Sequence, residues 1–291
     1  DIGHYRNRTH IGILRAAERD NKFYRRNMLY MSSTKTKARM ISTENISKKY
    51  KNDFALKEVS TTLPTGKIVA FIGSNGAGKS TVLNIISRLI SPSTGNVYID
   101  GRKIPQWETE ELAKKLTILG QSLHSEARIT VKDLVGFGRF PHSKGNMDAK
   151  DKKAVEDALA ITGIEELKDR FIDELSGGQR QMAYIAMSIA QDTQYILLDE
   201  PLNNLDMGRA VKIMKIMQHL VKEKSKTVFM VVHDINFVSF YADYVLAFKN
   251  GELKYQGKTD SIMKSEILSD IYDIEISVEN YRGKKICIYY K

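Results

Sequence analysis

Residues 73–80 read GSNGAGKS and lie between the apolar run KIVAFI and the segment TVLNIISRLI. The spacing G-x-x-x-x-G-K-S, placed between a short apolar strand and a helix, is typical of a loop that binds nucleotide phosphates. Its glycines allow backbone conformations closed to other residues, so that successive N–H groups can converge on phosphate oxygens. We predict that Lys79 reaches the β and γ phosphates and that Ser80 ligates Mg²⁺. The predicted phosphate-binding residues are Gly73, Ser74, Asn75, Gly76, Ala77, Gly78, Lys79, Ser80 and Thr81.

The segments around this loop predict an α/β fold. MISTENISKKY (40–50) and FALKEVSTTL (54–63) alternate polar and apolar residues like the strands of an antiparallel sheet. QYILLDE (194–200) and KTVFMVVHD (226–234) are instead continuously apolar, as strands buried on both faces are. We therefore predict a phosphate-loop NTPase core that carries an antiparallel β subdomain.

A long stretch between the loop and the second buried strand has helical periodicity. Residues 108–190 are expected to be largely helical, as in DAKDKKAVEDALAITG. The domain is expected to run from residue 40 to residue 291, with an inserted helical subdomain at about 122–190.

Composition excludes some classes of protein. The chain has one cysteine, Cys287, so an intrachain disulfide is impossible, which fits a reducing compartment. No apolar run approaches the 18 or so residues that a membrane-spanning helix needs. We therefore expect a chain that does not itself cross a bilayer.

Positive charge is concentrated at the start of the chain. Residues 1–39 hold ten Lys or Arg against three acidic residues, so they carry +7 of the net charge of +10. This segment could be a basic arm for a membrane or nucleic acid, a mitochondrial presequence, or sequence upstream of the true start. We favour a folded protein that begins near Met40 and is preceded by a basic, poorly ordered extension.

Two carboxylates end the strand YILLDE. In a phosphate-loop NTPase the first, Asp199, organises Mg²⁺, and the second, Glu200, stands where a general base polarises a water toward the γ phosphate. Many strands end in acids, so this pair gains its meaning from the motifs that accompany it.

A second glycine-rich motif, LSGGQ, occupies residues 175–179. Its serine lies 97 residues after Lys79 and 23 before Asp199. Ser176, Gly177 and Gly178 would present a hydroxyl and bare backbone amides at the start of the helix RQMAYIAMSIA, which makes a second anion site. Two phosphate sites so far apart in one chain suggest that each nucleotide is held between two chains. The alternative is that S-G-G-Q only caps this helix.

With these motifs, residues 40–291 resemble the nucleotide-binding subunit of an ABC transporter. The resemblance implies that two subunits enclose ATP with Mg²⁺, and that Glu200 promotes its hydrolysis. It also implies that a signature sequence contacts the nucleotide bound by the partner subunit, and that three side chains ligate the metal. These residues are Ser176, Gly177, Gly178 and Gln179 for the signature, and Ser80, Gln121 and Asp199 for Mg²⁺.

The resemblance also implies four further roles. Tyr50 would stack on the adenine, Gln121 would contact the attacking water, and His233 would lie near the γ phosphate as a switch residue. Asp206 belongs to the loop that crosses the dimer interface, where Asn204 replaces a small residue common in the family. Ordinary alternatives remain: a strand-end tyrosine, a solvated glutamine and a structural histidine.

The implied function is to energise an importer from the cytoplasmic face of the cell membrane. The partners would be permease subunits, a second ATPase subunit and, indirectly, an extracytoplasmic substrate-binding protein. The alternative is a soluble ABC protein that acts on ribosomes or DNA. Ribosomal members resemble two cassettes in one chain, and DNA-repair members carry long coiled coils, so neither fits and no nucleic acid is expected as a partner.

The cargo is inferred from one segment, ITVKDLVGFGRFPHSKG, residues 129–145. Its core, Gly138 to His142, resembles that of ferric-siderophore, haem and cobalamin importer ATPases, in the region that faces the permease. LDEPLNNLDM points to ferric siderophores among these cargoes. The alternatives are another importer cargo, namely haem, cobalamin or a metal, or a segment that only packs the subdomain.

Overall fold

The structure, a computed structural model, describes residues 40–51, 53–121 and 128–290. The predicted N-terminal extension, residues 1–39, lies outside the described residues, as do the first residues of the predicted helical subdomain, 122–127.

Within these described ranges, the strands form two larger sheets and one hairpin. In chain order they are β1 (Ile41–Tyr50), β2 (Asp53–Leu63), β3 (Ile68–Ile72), β4 (Thr94–Ile99), β5 (Arg102–Lys103), β6 (Leu116–Leu119), β7 (Tyr195–Asp199), β8 (Thr227–Val231), β9 (Tyr244–Lys249), β10 (Glu252–Lys258), β11 (Ser277–Tyr281) and β12 (Lys284–Ile288).

The α-helices of the described ranges lie between these strands in the chain, and four of them follow one another between β6 and β7. In chain order they are α1 (Lys79–Ile86), α2 (Thr109–Ala113), α3 (Val131–Phe137), α4 (Phe140–Ser143), α5 (Ala149–Thr162), α6 (Gly177–Ala190), α7 (Met207–Lys224), α8 (Ile235–Tyr241), α9 (Thr259–Ile262) and α10 (Ser265–Tyr272). Short 3₁₀ helices occupy Ile104–Gln106, Glu165–Leu167 and Ile172–Glu174. Of the helices in the described part of the chain, none is long and apolar enough to cross a bilayer.

The central sheet has the order β10-β9-β3-β8-β7-β6. Strands β3, β6, β7, β8 and β9 pair in parallel, and β10 joins the edge in the antiparallel sense. Every residue of β3, β7 and β8 is buried, as expected for a parallel sheet that is covered on both faces. Because the carboxyl ends of these three strands lie side by side, the segments that follow them meet at one edge of the sheet.

The two faces of the central sheet belong to different cores. One face packs against α1 and the four-stranded antiparallel sheet β2-β1-β4-β5, with Phe71, Leu83 and Phe229 among the buried side chains. The opposite face packs against helices α3 and α5 to α10, with Ile72, Leu198 and Met217 buried there. The predicted antiparallel pairing of β1 with β2 is confirmed.

The helices α3, α5 and α6 pack on one another between residues 131 and 190. The bounds of a separate helical subdomain stay a prediction. Within the stretch expected to be helical, the prediction is wrong at Leu116–Leu119, which forms the edge strand β6. A four-residue apolar run is too short for periodicity to separate strand from helix, and its pairing with β7 decides the outcome.

Candidate active site

The phosphate loop leaves β3 and enters α1 through glycines that no other residue can replace without strain. Gly73 has φ of 138°, and a Cβ added there would lie 2.2 Å from the carbonyl oxygen of Phe248. Gly78 precedes α1 with φ of 100°, and its Cβ would lie 2.6 Å from the carbonyl oxygen of Ala55. Both positions therefore need glycine for conformation and for space.

Lys79 is folded into the loop that it follows. The residue is buried, and its Nζ donates to the carbonyl oxygens of Gly73 at 2.8 Å and Ser74 at 2.9 Å. Burial lowers the pKa of Lys79, while the charges of Glu200 and Asp199 act in the opposite direction. The ammonium group thus lies among loop carbonyls with two carboxylates near it, where an anionic ligand would offset the cost of its burial.

Ser80 and Asp199 meet across the gap between the loop and β7. The Ser80 hydroxyl donates to Asp199 Oδ1 at 2.8 Å. Burial raises the pKa of Asp199, although this hydrogen bond acts to lower it. A hydroxyl and a carboxylate side by side are hard oxygen ligands of the kind that Mg²⁺ prefers, so the donor set fits this ion.

Glu200 follows Asp199 and is held by three side chains. His233 Nε2 lies 2.7 Å from Glu200 Oε1, and Asn203 Nδ2 donates to Glu200 Oε2. Gln121 also hydrogen-bonds to Glu200. Burial acts to raise the pKa of Glu200, but the hydrogen bonds from these three residues, together with the charge of His233, bring the pKa below its ordinary value. The group is therefore a carboxylate at neutral pH, available to accept a proton.

The backbone of Glu200 is unusual for a residue with a side chain. Its φ is 54°, in the left-handed region that residues other than glycine and asparagine seldom adopt. Such conformations carry a cost, and they persist where the surrounding structure holds them. Here the Asn203 N–H donates to the Glu200 carbonyl oxygen at 3.2 Å, which closes the turn. Asn204 is also left-handed, with φ of 58°, a conformation that asparagine tolerates well.

Asn203 is the site residue that sequence reasoning missed at this turn. The motif NNLD drew attention to Asn204 and Asp206, whereas Asn203 carries the hydrogen bond to Glu200. Its position three residues after a proposed catalytic acid was the available signal, because a turn of that length returns a side chain to its start.

The signature residues begin helix α6. Ser176 forms a capping box: its Oγ accepts from Gln179 N at 3.4 Å, and Gln179 Oε1 accepts from Ser176 N at 3.0 Å. The sequence alternative, a helix cap, is thus present in the single chain. Gly177 and Gly178 add no side chains to the first turn of α6. A Cβ added at Gly178 would lie 2.4 Å from the Arg209 guanidinium.

Asp206 and Tyr50 lie at the surface, apart from the group around Glu200. Asp206 caps helix α7 by accepting from Arg209 N at 2.9 Å, and it also pairs with the Arg209 guanidinium at 3.3 Å. Tyr50 is the last residue of β1 and is 51% exposed. Lys48 Nζ lies 5.2 Å from the centroid of its ring. An exposed ring is available for stacking, and its role stays a prediction.

Two residues of the Gly-Arg-aromatic-Pro-His core, Gly138 and Arg139, are buried against neighbouring helices. The Arg139 guanidinium is buried, pairs with Asp151 at 2.8 Å and donates to the carbonyl oxygen of Ala190 at 2.8 Å. A Cβ at Gly138 would lie 2.2 Å from the Met187 carbonyl oxygen, so glycine allows this close approach to α6. Phe140, in contrast, is 62% exposed. The alternative that these residues pack the helices holds for Gly138 and Arg139.

We expect Arg139→Met to lower the free energy of unfolding by about 3 kcal/mol, because Asp151 would be left buried without its cation. In a domain of this size the melting temperature should fall by about 6–12 °C. Lys153→Met is the matched control, since Lys153 pairs with Asp157 on the exposed face of α5, with side chains 73% and 57% exposed. Thermal unfolding of both variants measures the difference, and equal melting temperatures would contradict the structural role of Arg139.

A sequence profile of the family described as "ABC transporter" matches residues 56–203. The petrobactin import ATP-binding protein YclP of Bacillus subtilis is 47% identical over 251 residues, which cover 86% of this chain and all of that protein. The iron(3+)-hydroxamate import ATP-binding protein FhuC of the same organism is 36% identical over 254 residues, 86% of this chain and 94% of that one.

A solved structure has the same fold. The dimeric ATP-binding cassette MJ0796, in a post-hydrolysis state bound to ADP and Pi, superposes with a TM-score of 0.69 at 32% identity. The match covers 76% of this chain and 99% of that one. The predicted α/β phosphate-loop fold is thereby confirmed.

Proposed function

Because this chain belongs to the ABC transporter family, we propose that it is the ATPase subunit that energises import of a ferric siderophore through a separate membrane permease. The observation that carries the cargo is its 47% identity to a petrobactin import ATP-binding protein over that protein's whole length. The similarity to an iron(3+)-hydroxamate import protein supports the same class of cargo. No contact in the described residues favours haem, cobalamin or another metal over this class.

In the proposed site the phosphates of ATP lie on the loop from Gly73 to Thr81. The Lys79 ammonium leaves the carbonyl oxygens of Gly73 and Ser74 and binds the β and γ phosphates instead. Its reduced solvation in the free chain makes this exchange favourable, since the charged phosphates supply the partner that burial denies it. Backbone N–H groups of the loop and the amino end of α1 bind the remaining phosphate oxygens.

Ser80, Asp199 and Gln121 are the proposed ligands of Mg²⁺. When bound, this ion neutralises negative charge on the phosphates of ATP. Asp199 gains from that arrangement, because burial opposes its charge in the free chain.

Glu200 is the proposed general base. Its carboxylate accepts a proton from a water molecule as the water oxygen bonds to the γ phosphorus, and the bond from that phosphorus to the β–γ bridging oxygen breaks to leave ADP and phosphate. His233, Gln121 and Asn203 orient the carboxylate through the hydrogen bonds that they make to it. Each of these contacts also favours the ionised form that the reaction needs.

A second copy of the subunit completes each site in this proposal. Ser176 to Gln179 of one copy face the nucleotide on the loop of the other, and Asp206 lies in the loop at the junction. The signature residues begin helix α6, and the backbone N–H groups of a helix N-terminus suit an anion. The dimeric state of the similar cassette MJ0796 supports this arrangement.

The proposed membrane partners are permease subunits at the cytoplasmic face of the cell membrane, with a substrate-binding protein outside. Phe137 and Phe140 are 55% and 62% exposed near the region predicted to face the permease. Aromatic side chains are enriched at interfaces relative to the rest of the surface. The role of residues 1–39 stays a prediction.

Cargo uptake tests the assignment. A strain that lacks this chain should fail to grow on iron-limited medium when its cognate siderophore is the only iron source. Wild-type chain should restore growth, and Glu200→Gln should not. We would measure uptake of labelled iron supplied with petrobactin or with a hydroxamate siderophore, beside labelled cobalamin and manganese. Normal uptake of siderophore iron with defective uptake of another cargo would overturn the cargo assignment, while the proposed ATPase activity would stand.

A further inference from the structure

A tyrosine that is distant in the sequence makes a hydrogen bond to the phosphate loop. Tyr272 is the last residue of α10, and its hydroxyl oxygen accepts a hydrogen bond from the Gly73 N–H at 3.3 Å across 199 positions of sequence. The carbonyl oxygen of the same glycine accepts from Lys79 Nζ at 2.8 Å. Gly73 therefore lies between Tyr272 on one side and the lysine proposed to bind phosphate on the other.

Gly73 needs such a contact more than most residues. A buried backbone N–H without a partner is costly, and the Tyr272 hydroxyl supplies this partner. The φ of 138° belongs to a region that only glycine enters freely, and a chain with that freedom has many other conformations to adopt. The carbonyl group of Phe248 limits movement of Gly73 in the direction of β9. Tyr272 supplies a second point of attachment, from α10.

Helix α10 is itself fixed to the core. Leu268 and Ile271 are fully buried, and the Tyr255 hydroxyl on β10 donates to Asp270 Oδ2 at 3.1 Å. Ser265 and Ser269 accept from backbone N–H groups of the residues that follow the helix. Burial raises the pKa of Tyr272 to about 12, so its hydroxyl stays neutral at physiological pH. The tyrosine oxygen is thus a fixed acceptor on a rigid helix.

We propose that Tyr272 is a positioning residue for nucleotide binding: it sets the peptide of Gly73, and through it the loop geometry in which Lys79 and the backbone amides meet the phosphates. This inference rests on the proposed binding of phosphate at residues 73–81. Because Tyr272 acts on the loop and has no contact with Glu200 among the described hydrogen bonds, it controls affinity for ATP and leaves the hydrolytic step unaffected.

The test is Tyr272→Phe, which removes the hydroxyl and keeps the ring. Loss of one hydrogen bond should raise Kd for Mg-ATP and KM by about five- to tenfold, with kcat within about twofold of wild type. Tyr255→Phe is the matched control, since it removes a hydroxyl that holds the same helix without touching the loop. Its Kd and KM should stay at the wild-type values.

Amide hydrogen exchange gives a second, local measurement. In the nucleotide-free protein, exchange at Gly73 should be several-fold faster in Tyr272→Phe and unchanged in Tyr255→Phe. Wild-type affinity in Tyr272→Phe would overturn the proposal, as would an equal loss in both variants, which would assign the effect to docking of α10. If Lys79→Ala bound Mg-ATP with wild-type affinity, both the phosphate-loop assignment and this inference would be overturned. If Lys79→Ala bound weakly and Tyr272→Phe bound with wild-type affinity, only the inference would be overturned.

Discussion

Glu200→Gln should lower kcat for ATP hydrolysis by about two to four orders of magnitude while Mg-ATP binding persists. The substitution keeps the size and planar shape of the side chain, but an amide cannot accept the proton of the attacking water. The hydrogen bonds from Asn203 and His233 are made to the two carboxylate oxygens, so one of them must be lost or reversed in the amide. Steady-state phosphate release measures turnover, and titration with Mg-ATP measures binding.

Glu223→Gln is the control for this substitution. Glu223 is exposed near the end of α7, so the same chemical change there should leave turnover at the wild-type rate. Near-normal turnover in Glu200→Gln would remove Glu200 as the base. Loss of binding together with turnover would instead show that its carboxylate mainly shapes the nucleotide site.

Local pattern was enough to predict the elements that carry the site. The strands β3, β7 and β8 are continuously apolar because both of their faces are covered, and the glycine spacing of residues 73–80 reflects backbone conformations that only glycine enters freely. The short strand β6 has neither signal. It forms because its backbone groups pair with β7, and that pairing cannot be seen within four residues of sequence.

The proposed catalytic group was predictable for a related reason. Lys79, Asp199 and Glu200 adjoin apolar strands or the loop, and His233 follows the strand that lies between β3 and β7. Parallel strands bring their carboxyl ends together, so residues at those ends become neighbours without any special pairing of side chains. The structure places Ser80 against Asp199, and His233 and Gln121 against Glu200.

Contacts that depend on packing between distant segments could not be predicted in this way. Tyr272 reaches Gly73 only because α10 docks beside the central sheet, and no motif marks a tyrosine at a helix end. Arg139 gave the opposite difficulty, because its motif suggested a surface near the permease. Its guanidinium is instead buried against Asp151 and the end of α6. Burial of a charged side chain requires a partner that sequence alone does not identify.

Lys79→Ala should weaken Mg-ATP binding strongly as well as lower turnover, which separates it from Glu200→Gln. The ammonium is the one side-chain cation that the loop itself contributes, and charge-assisted hydrogen bonds to phosphate are worth about 3 kcal/mol, or roughly 100-fold in Kd. In the free chain the same ammonium donates to the carbonyl oxygens of Gly73 and Ser74, so the substitution also removes these two hydrogen bonds within the loop.

Lys67→Ala is the matched control. Lys67 lies just before β3, at the end of the strand opposite the phosphate loop, and its Nζ is 3.9 Å from Asp243 Oδ1 on the surface. This variant should bind Mg-ATP as wild type does. Nucleotide titration measures binding in both variants, and thermal unfolding checks that Lys79→Ala is folded. Weak binding by a folded Lys79→Ala would show that the nucleotide site needs this lysine. Burial opposes the charge of Lys79, and this cost offsets the two hydrogen bonds that the ammonium makes to the loop. Its removal should therefore change the melting temperature of the nucleotide-free protein little. Wild-type affinity in a folded Lys79→Ala would mean that the phosphates lie elsewhere.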